Sequence, residues 1–440
     1  MTAHAQSSDA LLDKLVEKGV LTVAEVDELK QETDKDFTKA FQVKTGMPDW
    51  VTGYKFGGDF RGRFEENGAE NLAYHSRDRY RYRVRFGVTI SMMENFEVGL
   101  RLASGNPVFN PGGTLVGGAP ITANQDMNSL ESRKFIWIDA AYAKWSPIKT
   151  SEWTVTGTIG KMDNPFQLSN MIFDHDINPE GGAIQASYHF SEKHTLKANG
   201  GIFVLDEINQ SASGAVAGTA PPSHDPYLYG GQMLLDSKWS PKIETSVGLA
   251  VFNVGNKEDL SAKIQPFYNS GNSRDANGFL LHNYNPVIGT ASATYNLESF
   301  PTYTGAFPIK VSGEYLNNPG APTANEAYRA GVTFGKAGKK KTWEIAYRYQ
   351  ELQADAWFDA MVDDDNGAYY ATGNSQLVGT GKANGWFGGT NVRGHLVQGT
   401  YSFTDFVNVS ITYYLNELII GTTGQSSNAH HFMIDMNWKL

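Results

Sequence analysis

Not one of the 440 residues is a cysteine. That excludes a disulfide framework and a thiolate-ligated metal site. It also suits a protein that crosses an oxidising periplasm, where stray thiols are a liability. No apolar run approaches the roughly 20 residues of a transmembrane helix, and mean hydropathy is −0.38. A helical inner-membrane protein is therefore excluded. A barrel is not, because its alternating strands average out to mild polarity. Basic excess is missing too: the net charge is −10. Nucleic-acid binding, which needs a basic domain or surface stripe, is not expected.

Motifs for catalysis and cofactors are equally scarce. No Gly-x-Ser-x-Gly or phosphate-cradling loop occurs in a strand–helix context, and there is no haem motif. Neither an enzyme nor a bound cofactor is expected. His430 and His431 are adjacent in an extended segment, so they point to opposite faces and cannot chelate one metal together. Asp174-His175-Asp176 lacks a second histidine or an EF-hand spacing. Asp363 and Asp365, in Val362-Asp363-Asp364-Asp365-Asn366-Gly367, have the look of a calcium loop without its 12-residue pattern and closing Glu. The turn preferences of Asp, Asn and Gly predict a solvated turn in an external loop instead.

What the chain has in quantity is alternation. In Arg79–Ser91 the even positions are Tyr80, Tyr82, Val84, Phe86, Val88 and Ile90, and the odd ones begin Arg79, Arg81, Arg83, Arg85. A strict period of two over a dozen residues specifies an extended strand with one oily and one charged face. It is longer than the usual 5–6 residues of a globular strand. It matches the roughly 9–11 residues that span a membrane with lipid on one side and a wet lumen on the other. The pattern recurs from Tyr54 to Leu440, giving sixteen candidate strands. Connections after the even strands are mostly short, such as Met92–Asn95 and Ser-Pro-Ile-Lys at 146–149. Those after the odd strands are mostly long and rich in Gly, Asn, Asp and Ser, such as Ser104–Arg133 and Gln353–Asn391. Segregating loop length by side is what a 16-stranded antiparallel transmembrane β-barrel does. An even strand count puts both termini in the periplasm of a cell with an outer membrane. Trp145, Trp153, Trp239, Trp343 and Trp438 near strand ends fit interfacial girdles.

The first fifty residues differ. Ala3-His4-Ala5 before Gln6 has the form of a signal-peptidase site, so residues 1–6 are expected to be a signal or cloning remnant. Residues 7–45 predict a periplasmic helix–turn–helix: a stripe at Leu11, Leu12, Leu15 and Val16 ends at Gly19, and Thr22 with Glu25 forms a capping box. This appendage is expected to pack on itself or its copies, to plug the pore mouth, or to touch peptidoglycan.

About 16 strands leave an aqueous lumen, so function should lie in what narrows and charges it. The inward faces of the first three strands carry Lys55, Arg61, Arg63, Arg79, Arg81, Arg83, Arg85 and Arg101. Successive arginines two apart stand about 7 Å from one another. The expectation is a basic strip lining the pore; the alternative is that Asp59, Glu65 and Glu97 neutralise it as wall structure. Asp163–Gly181 carries Asp163, Asp174, Asp176 and Glu180 with no Lys or Arg. It also holds Phe166, Leu168, Met171, Ile172 and Phe173, which an external loop would not need. A loop folded into the lumen buries those against the wall and shows its carboxylates to the channel. An acidic constriction facing a basic wall across a gap makes a transverse field.

Gly160-Lys161-Met162-x-Asn164-Pro165-Phe166, followed by Phe173-Asp174-x-Asp176-x-Asn178-Pro179-Glu180-Gly181, resembles the putative porin family of Gram-negative outer membranes. More broadly, residues 50–440 are similar to sixteen-stranded trimeric porins whose third loop folds inward. The resemblance implies passive diffusion of small hydrophilic solutes and ions through homotrimers set in outer-membrane lipid and lipopolysaccharide. Two features depart from it: Leu440 stands where such barrels usually end in an aromatic, and the simplest members have no helical appendage. Three alternatives stay open: an anion-selective channel with the arginine strip as a ladder, a structural protein tied to the cell wall by its amino-terminal helices, and a barrel sheathing a haem-protein wire.

Overall fold

The computed structural model describes residues 48–440 apart from 73, 110–112, 114, 208–223, 261–270, 276–277, 371–384 and 422–423. The expected remnant at 1–6 and helical segment at 7–45 lie outside the described residues. From Val51 onward the alternating segments form sixteen long strands. They are β1 Val51–Ala69, β2 Arg77–Met92, β3 Phe96–Ser104, β4 Ile136–Lys149, β5 Trp153–Lys161, β6 Glu180–Ser191, β7 His194–Val204 and β8 Tyr227–Lys238. The second half comprises β9 Ile243–Gly255, β10 Val287–Leu297, β11 Phe307–Asn317, β12 Glu326–Gly335, β13 Trp343–Leu352, β14 Val392–Ser402, β15 Val407–Leu418 and β16 Ala429–Lys439.

Each strand pairs antiparallel with its successor, and β16 pairs with β1 from Asp59↔Lys439 to Ala69↔Ala429. The sheet is closed, so it has no unpaired edge. Closure sets the two faces. Phe86, Ile138, Ile159, Ile184, Val247 and Leu249 are each more than half exposed on the outside. Apolar exposure on this scale in water would be an aggregation surface; against lipid it is the required belt. All five tryptophans singled out above sit at the rim of short turns, in aromatic contacts such as Trp153–Tyr188 at 4.3 Å and Phe96–Trp145 at 5.4 Å between ring centres. Tyr80, Tyr229, Tyr315 and Tyr328 mark the opposite rim, where the long loops emerge. The described chain enters and leaves the barrel at the short-turn rim.

Two boundaries differ from expectation. Ser146–Lys149 continues β4, and the turn is 150–152. Glu180 and Gly181 open β6 rather than ending a loop. A larger difference concerns 353–391, expected outside the barrel. Its described part folds inward, with Trp357 and Ala356 fully buried and Asp363 and Asn366 at 5% and 3% exposure. The reason is apolar: Ala356, Trp357, Phe358 and Val362 join one core with Met171, Ile172, Phe173, Phe203 and Phe252. A solvated turn at 362–367 is therefore wrong.

Candidate functional site

The first inward loop, 162–179, is pinned at both ends by glycine. Gly160 has φ +109°, and a Cβ there would fall 2.3 Å from the Ala141 carbonyl; one on Gly181 would fall 2.1 Å from that of Ile202. Only glycine lets the backbone approach so closely. Between them the loop crosses the lumen. Gln167 exchanges hydrogen bonds with Gln232 on β8, its N–H donating at 2.9 Å and its carbonyl accepting at 3.0 Å. Ser169 donates to Glu314 on β11. Asn170 accepts from Arg329 on β12 at 2.6 Å. The chain then returns, and Asn178 accepts from Arg101 on β3 at 3.1 Å and donates to Asp139 on β4 at 2.9 Å.

At its far point this loop meets the second inward one. The Trp357 indole donates to the Ile172 carbonyl at 2.7 Å, Asp174 N–H to Met361 O at 2.8 Å, and Asp363 N–H to Asn170 O at 3.1 Å. A short hairpin, Gly367–Tyr370 with Gly385–Gly388, extends the second loop against β15 and β16. Phe166 stands nearly perpendicular to Phe252 at 4.8 Å, and Phe173 to Trp357 at 5.8 Å. Phe166, Met171, Ile172 and Phe173 are thus buried against both the wall and a second loop that the sequence reading left outside.

The basic strip is not separated from its counter-charges. Arg83 and Arg85 share Asp59 at 2.9 and 2.7 Å and Asp176 at 3.2 and 3.7 Å. Arg81 reaches Asp126 at 2.9 Å and Glu65 at 3.3 Å, and Arg79 also meets Glu65. Arg63 binds Asp435 at 2.7 Å and Asp365 at 3.0 Å. Arg61 lies 3.9 Å from Asp435 and donates to Asn124 at 2.7 Å. Arg101 pairs with Asp139 and, at 2.8 Å, with Asp163. Lys55 is exposed near the short-turn rim, with no ion pair among the described residues. Of the expected neutralisers Asp59 and Glu65 do act on the strip, whereas Glu97 pairs with Lys144 at 3.2 Å. The expected gap between loop and strip is absent at Asp176: those charges touch.

The remaining loop carboxylates part company. Glu180 binds Lys161 at 2.8 Å. Asp174 is buried beside Asp363 and Asp364, all three with carboxylate oxygens within 4.8 Å. Burial and then Asp365 push Asp363 up to about 7. Burial, with like charges close by, also raises Asp174 and Asp364 well above the usual carboxylate range. Burial would raise Asp176 too, but Arg83, Arg61 and Arg85 outweigh it and hold it low. Asp365 is likewise held down against burial, by Arg63. It lies in a different group from Asp363, with Glu65 and His431. The calcium-loop pairing of Asp363 with Asp365 is therefore not one cluster.

Between loops and wall an open cavity of about 770 Å³ remains, lined by residues of both signs and by Ser292, Ser312, Gln398, Ser410 and Thr412. A second, of about 720 Å³, lies between the first loop, Trp137 and the long-loop segments. Lys310, Arg329 and Arg348 line the first cavity and were not singled out from the sequence. Their signal was the ordinary polar half of the alternation in β11, β12 and β13.

Comparison with known proteins agrees with the barrel fold. A family model described as "Putative porin" matches residues 68–278, which include β2 and the first inward loop. OprB of Pseudomonas putida, in its high-pH structure, superposes with a TM-score of 0.53 at 9% identity, over 92% of this chain and 97% of that one. A loop-deletion variant of OmpT, an outer membrane protein of Vibrio cholerae, reaches 0.46 at 11% identity, over 88% and 99%. A mutant of the Rh. blastica porin reaches 0.40 at 9% identity, over 88% and 100%. No curated protein matches.

Proposed function

We infer that this chain, a porin by family match and barrel fold, forms a water-filled outer-membrane channel for passive diffusion of small hydrophilic solutes and ions. One observation carries the reading: a closed sheet with an apolar outside encloses a polar cavity narrowed by two loops that cross it. Such a cavity selects by size and charge without chemistry. In planar bilayers the purified protein should give stepwise single-channel conductance. Membranes that stay silent under those conditions would overturn the reading.

Finer statements rest on the same reading. Long loops belong outside the cell and short turns in the periplasm, with both ends of the barrel at the periplasmic rim. Surface labelling tests this: a tag at Leu130, fully exposed on a long loop, should be reached on intact cells, and one at Glu94 should not. Asn366, buried against Asn416 at 3.0 Å, is unsuited to such a tag. The homotrimer is carried by the family resemblance, and cross-linking of the purified protein tests it. Residues 7–45, where a cell-wall contact was expected, contribute nothing to the reading.

A further inference from the structure

The arginines of β1–β3 are matched by carboxylates. A second set of cations facing the same cavity is not. Lys310 on β11, Arg329 on β12 and Arg348 on β13 all line it, and among the described residues none of the three forms an ion pair. The nearby acids do not pair with them: Asp363 lies close enough for Arg329 to feel its charge, but it is bonded to Asn170 and Tyr414 instead. Glu314 stands opposite Arg329 in the β11–β12 register, but its carboxylate accepts from Ser169. Asp236 is bound to Lys197 at 2.7 Å. Glu344, four residues before Arg348 on the same strand, makes no ion pair with it.

Local geometry brings the two guanidinium groups together. Gly331 lies opposite Arg348 in the register and two residues beyond Arg329. A Cβ on Gly331 would sit 2.9 Å from Arg348 Cγ, so the missing side chain is the space through which Arg348 leans across β12. Arg329 gives one donor to Asn170 at 2.6 Å, and Arg348 makes only a 3.5 Å contact with Gln398. Each guanidinium has five N–H donors, so most of theirs remain unspent. His175, on the returning limb of the first loop, lines the same cavity. Burial and then Arg329 keep its imidazole below its ordinary pKa, so at neutral pH it serves as a neutral hydrogen-bonding group.

We propose that Lys310, Arg329 and Arg348, with His175 at the same cavity, form a binding site for small oxyanions, carboxylate or phosphate, and give the channel its preference for anions. This rests on the reading of the barrel as an open channel. Planar guanidinium forks match the paired oxygens of carboxylates and phosphates. Unpaired cations act on a passing ion over about 8–10 Å at physiological salt. An anion reaching β1–β3 would first have to displace a carboxylate; here it has no ion pair to break.

The test is selectivity and block in planar bilayers with the full-length protein. Under a KCl gradient the wild type should prefer chloride. Millimolar acetate or inorganic phosphate should reduce its chloride current in a saturable manner. The double variant Arg329→Gln with Arg348→Gln should lower the anion-to-cation permeability ratio by roughly twofold per charge removed, the salt-screened Coulomb effect at about 8 Å acting with opposite sign on anion and cation, and should abolish saturable block. Removing one charge of each sign from the paired wall, Arg83→Gln with Asp59→Asn, should shift the ratio by less than half as much. Arg348→Lys keeps the charge but not the fork, so it should keep the ratio and weaken the block; it also serves if the double variant fails to fold. Block by acetate alone assigns carboxylates, and block by phosphate alone assigns phosphate. A conducting wild type that shows no block, or a folded double variant with wild-type selectivity, would overturn the site alone. A wild type that does not conduct would remove the channel reading and the site with it.

Discussion

On β1–β3 seven inward arginines stand against carboxylates drawn from their own strands, from β4 and β16, and from three loops. On β11–β13 three cations form no ion pair among the described residues. The sequence makes the first wall look like the electrostatic element, because its arginines are dense and regularly spaced. The structure makes it a seam instead. Asp435 joins β16 to β1 through Arg63, Asp176 ties the first inward loop to β2, and Asp365 ties the second to β1. Local charge density is thus a poor guide to field. What a passing ion feels is charge left over after pairing, and that sits where the arginines are sparse.

The sharpest way to break this contrast is to remove one arginine from each wall. Arg63 is 6% exposed and holds two carboxylates. Arg63→Ala should cost about 3–5 kcal/mol, the usual penalty for leaving buried charges without their partner. Arg348→Ala strands no carboxylate and should cost far less while moving selectivity. The measurement is the temperature or denaturant concentration at which the barrel loses its compact electrophoretic mobility. Equal losses would show that both walls are seams.

A second substitution acts on the clamp that presents the counter-charges. Trp357 is fully buried where the two loops meet, against Phe173 and Phe252 and bonded to Ile172. Trp357→Ala should cost about 3–5 kcal/mol locally, as for other large-to-small aromatic changes. The barrel itself need not unfold, since its ladders do not depend on that contact. Single-channel conductance should rise and grow noisier as the loops loosen, and Arg63 should lose Asp365 part of the time. Unchanged conductance would mean the loops are held by the wall ion pairs alone.

How much of this was legible follows from the range of each signal. Strands β1–β3 were readable because alternation is local: Tyr80, Val84 and Phe86 against Arg81, Arg83 and Arg85 needs no partner. Two neutralising contacts were readable as well, because the β1–β2 hairpin aligns Glu65 with Arg79 and Asp59 with Arg85. Asp435 and Asp365 were not, since they meet Arg63 only once the barrel closes across more than 300 residues. The first inward loop was found from its apolar content. The second carried the same signal in Ala356, Trp357, Phe358 and Val362, but it was masked by the Gly, Asn and Asp around it, which read as external. Arg329 and Arg348 were legible only as the polar half of their strands' alternation; being unpaired is a property of the closed structure.

The smallest expected effect is a titration, and it probes the boundary between the two walls. Asp363 receives donors from Tyr414 at 3.2 Å and from Asn170, which also bonds Arg329. Asp365 presses on it from the same loop, and Asp174 and Asp364 lie beside it. Burial and that repulsion raise it to about 7. A raised carboxylate stabilises the fold below its ordinary value near 4, and that stability is lost as pH rises through about 7. The junction of the loops should therefore be tightest in acid. As pH rises through 7 the new negative charge falls beside Arg329 and offsets it, so chloride preference should fall by about twofold, the salt-screened effect of one charge at roughly 8 Å on anion and cation together. His175, with its pKa lowered, gains charge only at more acidic pH and works in the same direction. Reversal potentials between pH 5 and 8 should thus show a step near 7 in the wild type. Asp363→Asn should remove that step and hold chloride preference at its acid level. Arg329→Gln should lower the preference at every pH and move the step to higher pH, because Arg329 holds Asp363 down. A step that survives in Asp363→Asn with the same midpoint would assign the titration to another group and separate the carboxylate cluster from the oxyanion site.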